Sequence, residues 1–304
     1  MKTIAIYILL GLALFSCKQK AREKNTGKPI IVTTTGMIGD AVFNITGDSA
    51  TIISLMGPGV DPHLYKATQG DLSKLTSADL IFYNGLHLEG KMGEVLEKLG
   101  KTKPVIAISK DIPKERLRKV AAFNNNYDPH VWFDASLWKF AVNTIRNQLI
   151  TEYPRLTDYF SANADQYEKR LDTLNTWVKE QINQVPKNQR VLVTAHDAFG
   201  YFGQAYDIEV KGLQGISTLS EFGLRDITEL VSFILENKIK AVFIETSVSE
   251  RAINAVVEGC RERGFEISIG GSLYSDAMGA ANTPEGNYIG MFRSNVSKIV
   301  NALK

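Results

Sequence analysis

Cysteine and histidine are scarce: two Cys and four His in 304 residues. So few cysteines exclude a disulfide-stapled scaffold and a cysteine-ligated zinc finger. Charge of one sign is also missing, with 35 Lys+Arg against 33 Asp+Glu. That balance leaves no basic footprint for nucleic acid and no acidic tail. The 44% hydrophobic and 22% charged residues exclude a disordered or fibrous chain. What remains is a globular chain with length for two cores, at ~150 residues per domain.

The one long apolar run is the twelve residues from Ile4 to Phe15, after Lys2. It is too short to span a bilayer, which needs ~20 residues, and reads as a secretory signal. Leu14-Phe15-Ser16-Cys17 resembles the bacterial lipoprotein box, in which the cysteine is acylated and becomes the mature N-terminus. The expectation is a signal peptide over residues 1–17, acylation at Cys17 and a polar tether over residues 18–28. Acyl chains contribute ~0.8 kcal/mol per buried CH₂, so the protein is expected to be a membrane-anchored lipoprotein, in the periplasm or at the cell surface. Cys260 is then left without a disulfide partner. Its helical spacing to Ile253, Val256 and Val257 marks it as a buried, inert thiol.

Beyond the tether, β-branched and apolar runs at residues 30–34, 50–55, 80–83 and 105–108 read as strands. Helical patterns lie between them, for example at residues 69–77 and 91–99. The alternation resumes late, with strands at 190–194, 241–244 and 266–269 and a helix at 252–263. Ile227, Leu230, Val231, Ile234 and Leu235 mark another helix. This is an α/β pattern: two lobes, each a mostly parallel sheet with helices on both faces. The lobes are expected at residues 29–153 and 187–304. Between them, Leu156, Phe160, Ala164, Tyr167, Leu171, Leu174, Val178 and Ile182 form one apolar stripe. A single helix over residues 154–186 is expected to span both lobes, at ~1.5 Å per residue roughly 48 Å long. The alternative is two shorter helices broken near Asp172.

Three histidines sit where strands end or a helix begins. His63 lies in Gly59-Val60-Asp61-Pro62-His63-Leu64-Tyr65, His130 in Asp128-Pro129-His130-Val131-Trp132-Phe133-Asp134, and His196 in Val193-Thr194-Ala195-His196-Asp197. Parallel sheets bind ligands outside the carboxyl ends of their strands. In the repeated Asp-Pro-His, proline stiffens the backbone, and Asp61 or Asp128 could orient the imidazole from behind, as metal-bound histidines commonly require. A lone histidine is more often a satisfied core or surface residue than a ligand. Spacing alone leaves both readings open for these three, and favours a structural or surface role for His87.

These motifs, taken in order, resemble the solute-binding lipoproteins of bacterial zinc/manganese ABC transporters, especially the treponemal type. The resemblance also runs through Tyr83-Asn84-Gly85-Leu86-His87-Leu88-Glu89, Val191 to Phe202, Gly212-Leu213-Gln214-Gly215 and Ser275-Asp276-Ala277-Met278-Gly279. It implies two lobes joined by one long helix and one metal ion in the cleft. The ligands it implies are His63, His130, His196 and Asp276. Without it, Asp276 would be one acid among many.

Two departures bear on the metal. The stretch 110–127 lacks the histidine-rich loop of many zinc-specialised members, and His196 stands where many manganese-specialised members carry Glu. Three imidazoles and one carboxylate suit Zn²⁺, and carboxylate-rich sites suit Mn²⁺ better. The expectation is one Zn²⁺ or Mn²⁺ per chain, captured outside the cytoplasm by a non-enzymatic monomer and delivered to an ABC permease. No nucleic-acid partner is expected. Affinity should fall as the pH drops below ~6.5, where free imidazoles protonate. Asp276, near the C-terminus, is the candidate release lever. The alternative is an extracytoplasmic zinc hydrolase, with Glu245 as its base beside an open zinc position; Glu245 otherwise reads as a carboxylate supporting the cleft. A surface adhesin would call for repeats or exposed apolar runs, and the chain has neither.

Overall fold

The computed structural model describes residues 27–304. The signal peptide, Cys17 and all but the end of the tether lie outside the described residues. Among the described residues, no helix is long and apolar enough to cross a membrane.

The N-terminal half runs β1 (Ile30–Thr33), α1 (Gly36–Thr46), β2 (Thr51–Ser54), α2 (Gln69–Ser77), β3 (Leu80–Tyr83), α3 (Gly93–Gly100) and β4 (Val105–Ala107). A two-stranded antiparallel ribbon, β5 (Lys119–Val120) and β6 (Asn126–Tyr127), then leads to α4 (Ala135–Glu152). After α5 (Thr157–Ile182) come β7 (Val191–His196), α6 (Gly200–Tyr206), β8 (Glu209–Gln214) and α7 (Leu224–Asn237). The chain ends with β9 (Ala241–Glu245), α8 (Arg251–Glu262), β10 (Ser268–Leu273) and α9 (Tyr288–Leu303).

The first sheet has strand order β2-β1-β3-β4 and the second β10-β9-β7-β8, with every pair parallel. Both halves therefore share one topology, and in each the order reverses between the first and third strands. Outside that point a doubly wound sheet opens a crevice at its carboxyl edge.

Each sheet is apolar on both faces, as a parallel sheet must be. The outer face of the first sheet packs Val32, Ile81, Leu75 and Leu96, and that of the second packs Val193, Val242, Ile234 and Val256. The inner faces share one continuous cluster that includes Ile31, Phe82, Trp138, Leu171, Leu192 and Phe243. Aromatic rings cross between the halves: Trp138 stacks on Tyr288 at 5.4 Å, and Phe133 meets Phe199 at 4.2 Å.

The connecting helix differs a little from the sequence expectation. Pro154–Leu156 forms a 3-10 turn and the α-helix starts at Thr157. Proline suits such a first turn because its missing N–H has no intrahelical partner there. The helix runs unbroken through Asp172 and buries Phe160, Ala164, Tyr167, Leu171, Leu174, Val178 and Ile182. Its first half is tied to α1 by Asn163 Nδ2 donating to Ile45 O and Tyr167 Oη donating to Asp40. It also packs on α9 and α6. Cys260 is buried on α8, and burial pushes its thiol pKa up.

Candidate metal site

His196 is the last residue of β7, and Glu245 is the last of its neighbour β9. The strand-order reversal thus sets an imidazole and a carboxylate side by side. Gly212 lets β8 approach this strand end, since a Cβ there would sit 2.5 Å from Asp197 N. Asp276 follows β10. His63 lies in the β2–α2 connection, and His130 immediately before a short turn that leads into α4.

The structure brings these four residues together. His63 Nε2 is 3.3 Å from His130 Nε2. Asp276 Oδ1 is 3.4 Å from His130 Nε2, and its Oδ2 is 3.3 Å from His196 Nε2 and 3.9 Å from His63 Nε2. One donor atom from each residue lies within 4.8 Å of every other, and all four residues are buried. A tetrahedron with ligands ~2.05 Å from zinc has edges of ~3.3 Å, so the three shorter separations match zinc coordination. Two imidazole nitrogens facing each other make at best one hydrogen bond. His196 Nε2 and both Asp276 oxygens are buried with no hydrogen-bond partner. Buried polar atoms left this way are costly unless an ion satisfies them.

Behind the donor atoms the support is uneven. His130 Nδ1 is 2.7 Å from Asp128 Oδ1, which also accepts the His130 N–H at 2.9 Å. The other Asp128 oxygen accepts from Arg118 Nη1, and Tyr201 Oη donates to the Asp128 carbonyl. His196 Nδ1 lies 2.6 Å from Glu245 Oε2, while Glu245 Oε1 accepts the His196 N–H. Asp61 departs from this arrangement and does not reach the His63 ring. Its Oδ1 accepts the N–H groups of His63 and Leu64, and its Oδ2 accepts from Thr218 Oγ1. His63 Nδ1 is buried without a partner. The same tripeptide therefore serves two purposes, with Asp128 on the ring of its histidine and Asp61 on Thr218.

Protonation follows from these neighbours. Burial pushes the His63 pKa down to about 3. Burial also works against charge on His130, but the Asp128 charge, the Nδ1 hydrogen bond to Asp128 and the neighbouring Asp276 carboxylate outweigh it and raise the pKa to about 9. For His196, burial is outweighed by Glu245 and Asp276, and the pKa lies well above the ordinary value. Burial would raise Asp276, yet the two imidazoles hold it well below the usual carboxylate range.

Several further residues shape the site, and neither composition nor spacing gives them a role. Arg118 lies in a polar stretch, and its partner Asp128 is distant from Tyr201 in the chain. Asn84 Nδ2 donates to Pro129 O, fixing the backbone just before His130. Buried Glu89 accepts from Thr34 Oγ1 and from the N–H groups of Asn84 and Gly85. It braces a turn in which Gly85, Leu86 and His87 all have positive φ. His87 itself is exposed and stands apart from the four clustered residues. Trp132 Nε1 donates to Ser275 O, pinning the residue before Asp276.

Glu245 does not sit where the hydrolase reading needs a base. It is held behind His196, on the ring nitrogen that faces away from the four donor atoms.

The chain is 51% identical to the manganese-binding lipoprotein MntA of Bacillus subtilis (strain 168), covering 99% of this chain and 98% of that one. It is 46% identical to the zinc-binding protein TroA of Treponema pallidum (strain Nichols), covering 99% of this chain and 96% of TroA. The solved structure of the T. pallidum periplasmic zinc-binding protein TroA superposes with a TM-score of 0.89 at 48% identity, covering 91% of this chain and 99% of that one. The metal ABC transporter substrate-binding lipoprotein SloC of Streptococcus mutans is 29% identical, covering 100% of this chain and 99% of SloC. Residues 31–302 match the sequence profile described as zinc-uptake complex component A, periplasmic, and the chain belongs to that family.

Proposed function

We propose that the protein captures one divalent metal ion, zinc or manganese, outside the cytoplasm and hands it to an ABC permease. His63, His130, His196 and Asp276 are its ligands. The observation that carries this reading is the convergence of three imidazoles and one carboxylate, all buried, with one donor atom from each within 4.8 Å of every other. The relatives named for manganese, for zinc and for a metal ABC transporter support the cargo and the partner. Four protein donors close the coordination sphere, which suits holding an ion. Catalytic zinc keeps a position for water. In this reading residues 29–153 and 187–304 are the two lobes and residues 154–186 their connector. Residues 1–17 direct export, and Cys17 anchors the monomer to a membrane through the tether 18–28.

Calorimetric titration of the metal-stripped protein is expected to show one zinc or manganese ion per chain. Zinc should bind tighter, following the usual order for nitrogen-rich sites. A His63→Ala/His196→Ala double variant that binds as tightly as wild type would refute the ligand assignment.

Glu245→Gln keeps an acceptor for the His196 N–H but removes the charge behind the ring. Zinc affinity is expected to drop by ~10–100-fold, the usual cost of losing such a partner. A chelator competition assay on folded variant measures it; an unchanged affinity would mean that Glu245 does not support His196.

A further inference from the structure

We propose that Thr218 is a positioning residue that latches the His63 loop across the cleft, and that His63 is the ligand that leaves the ion first. This rests on the reading of the four residues as a metal site.

Three of the four donors have rigid backing. His130 is held by Asp128, itself held by Arg118. His196 ends a central strand and meets Glu245. Asp276 is fixed by its chain neighbours: Ser275 O accepts from Trp132, and Asn295 both accepts from Tyr274 N and donates to Tyr274 O. Asp276 is therefore a poor release lever, despite its loop and its place near the C-terminus.

His63 is different. Its ring nitrogen Nδ1 has no partner, and it lies in the connection between β2 and α2, which contains Gly57-Pro58-Gly59 with Gly59 at φ 71°. Glycine accepts this left-handed backbone without strain. What ties the segment across the cleft is Asp61. One carboxylate oxygen holds the His63 backbone at 2.8 Å and the other accepts from Thr218 Oγ1 at 2.6 Å.

The Thr218 end of this link is preformed. Ser220 N donates to Ser217 O, and Gln214 Nε2 donates to the Thr218 carbonyl. Gln214 pairs in register with His196, and its carbonyl accepts the Asp197 N–H. A continuous bonded path thus runs from His196 through Gln214, Thr218 and Asp61 to His63. Breaking it at Thr218 frees the His63 loop while leaving the other three ligands on their supports. The effect should fall on metal dissociation, where most affinity differences between related complexes arise.

The test is a chelator chase of the zinc-loaded protein, read by stopped flow, on wild type, Thr218→Val and Thr218→Ser. Valine keeps the shape and removes the hydroxyl; serine keeps the hydroxyl. Thr218→Val is expected to release zinc at least ~10-fold faster, the scale of one lost hydrogen bond to a charged group. Thr218→Ser should restore the wild-type rate. A Thr218→Val rate within about twofold of wild type, or a serine variant as fast as valine, overturns the latch. A wild type that holds no zinc would instead refute the site itself.

Discussion

Asp276→Ala is expected to lower zinc affinity by ~10²–10³-fold, one ligand's share of the ~10–16 kcal/mol that four-ligand zinc sites supply. Manganese binding should disappear altogether. The asymmetry follows from the donor set. In the proposed donor set Asp276 supplies the one oxygen, and it lies 3.3–3.9 Å from all three imidazoles. Removing it leaves three nitrogens, a set on which zinc still sits and which manganese, a harder ion, accepts poorly. The buried dication would also lose the anion that offsets its charge. Because Ser275 and Tyr274 are anchored independently of the Asp276 side chain, the variant should fold. Titration with each metal checks this. A variant that holds manganese as wild type does would remove Asp276 from the ligand set.

The strands and the connecting helix were legible because they are apolar at the right period. Residues 80–83 are continuous apolar residues, buried on both faces, and the strand appears over those positions. The stripe of α5 is read from Phe160 to Ile182 for the same reason. β8 has no apolar signature because Glu209–Gln214 contains Lys211 and Gly212 on a half-exposed edge of the sheet. The last strand starts later than its apolar run suggests, at Ser268 and not at Glu266. Gly270 and Gly271 look like a strand end, yet they lie inside β10, where a Cβ on Gly270 would meet Phe243 at 2.6 Å. The three histidines could be read as candidates from strand ends and the Asp-Pro-His repeat. Asp276 came only through resemblance, since nothing local separates it from a solvated acid. Asp128 and Glu245 were legible as carboxylates behind the histidines and stand there, at His130 and His196, whereas the Asp61 link to Thr218 was not, because the two are 157 positions apart and only the fold makes them neighbours.

Zinc affinity is expected to keep rising with pH through neutrality, by ~10–100-fold for each unit between pH 6 and 8. A site of unperturbed imidazoles would level off above ~6.5. The sign comes from the neighbours. His63, pushed down to about 3 by burial, is already neutral and gives up no proton. His130 has its pKa raised to about 9, and that of His196 lies well above the ordinary value, so both are protonated at neutral pH in the metal-free protein. Asp276 stays ionised between them. An incoming ion must displace up to two protons, and each adds one decade of affinity per pH unit while its group remains below its pKa. One dication replacing two protons leaves the buried charge unchanged, so the same carboxylates, Asp128, Glu245 and Asp276, serve both states. Acid therefore favours release and alkali favours capture. Calorimetry in buffers of different ionisation enthalpy reads the proton count directly, with between one and two protons released per zinc at pH 7. A count of zero would show that the imidazoles are neutral before the ion arrives, and that the carboxylates behind His130 and His196 serve to orient the rings without holding protons on them.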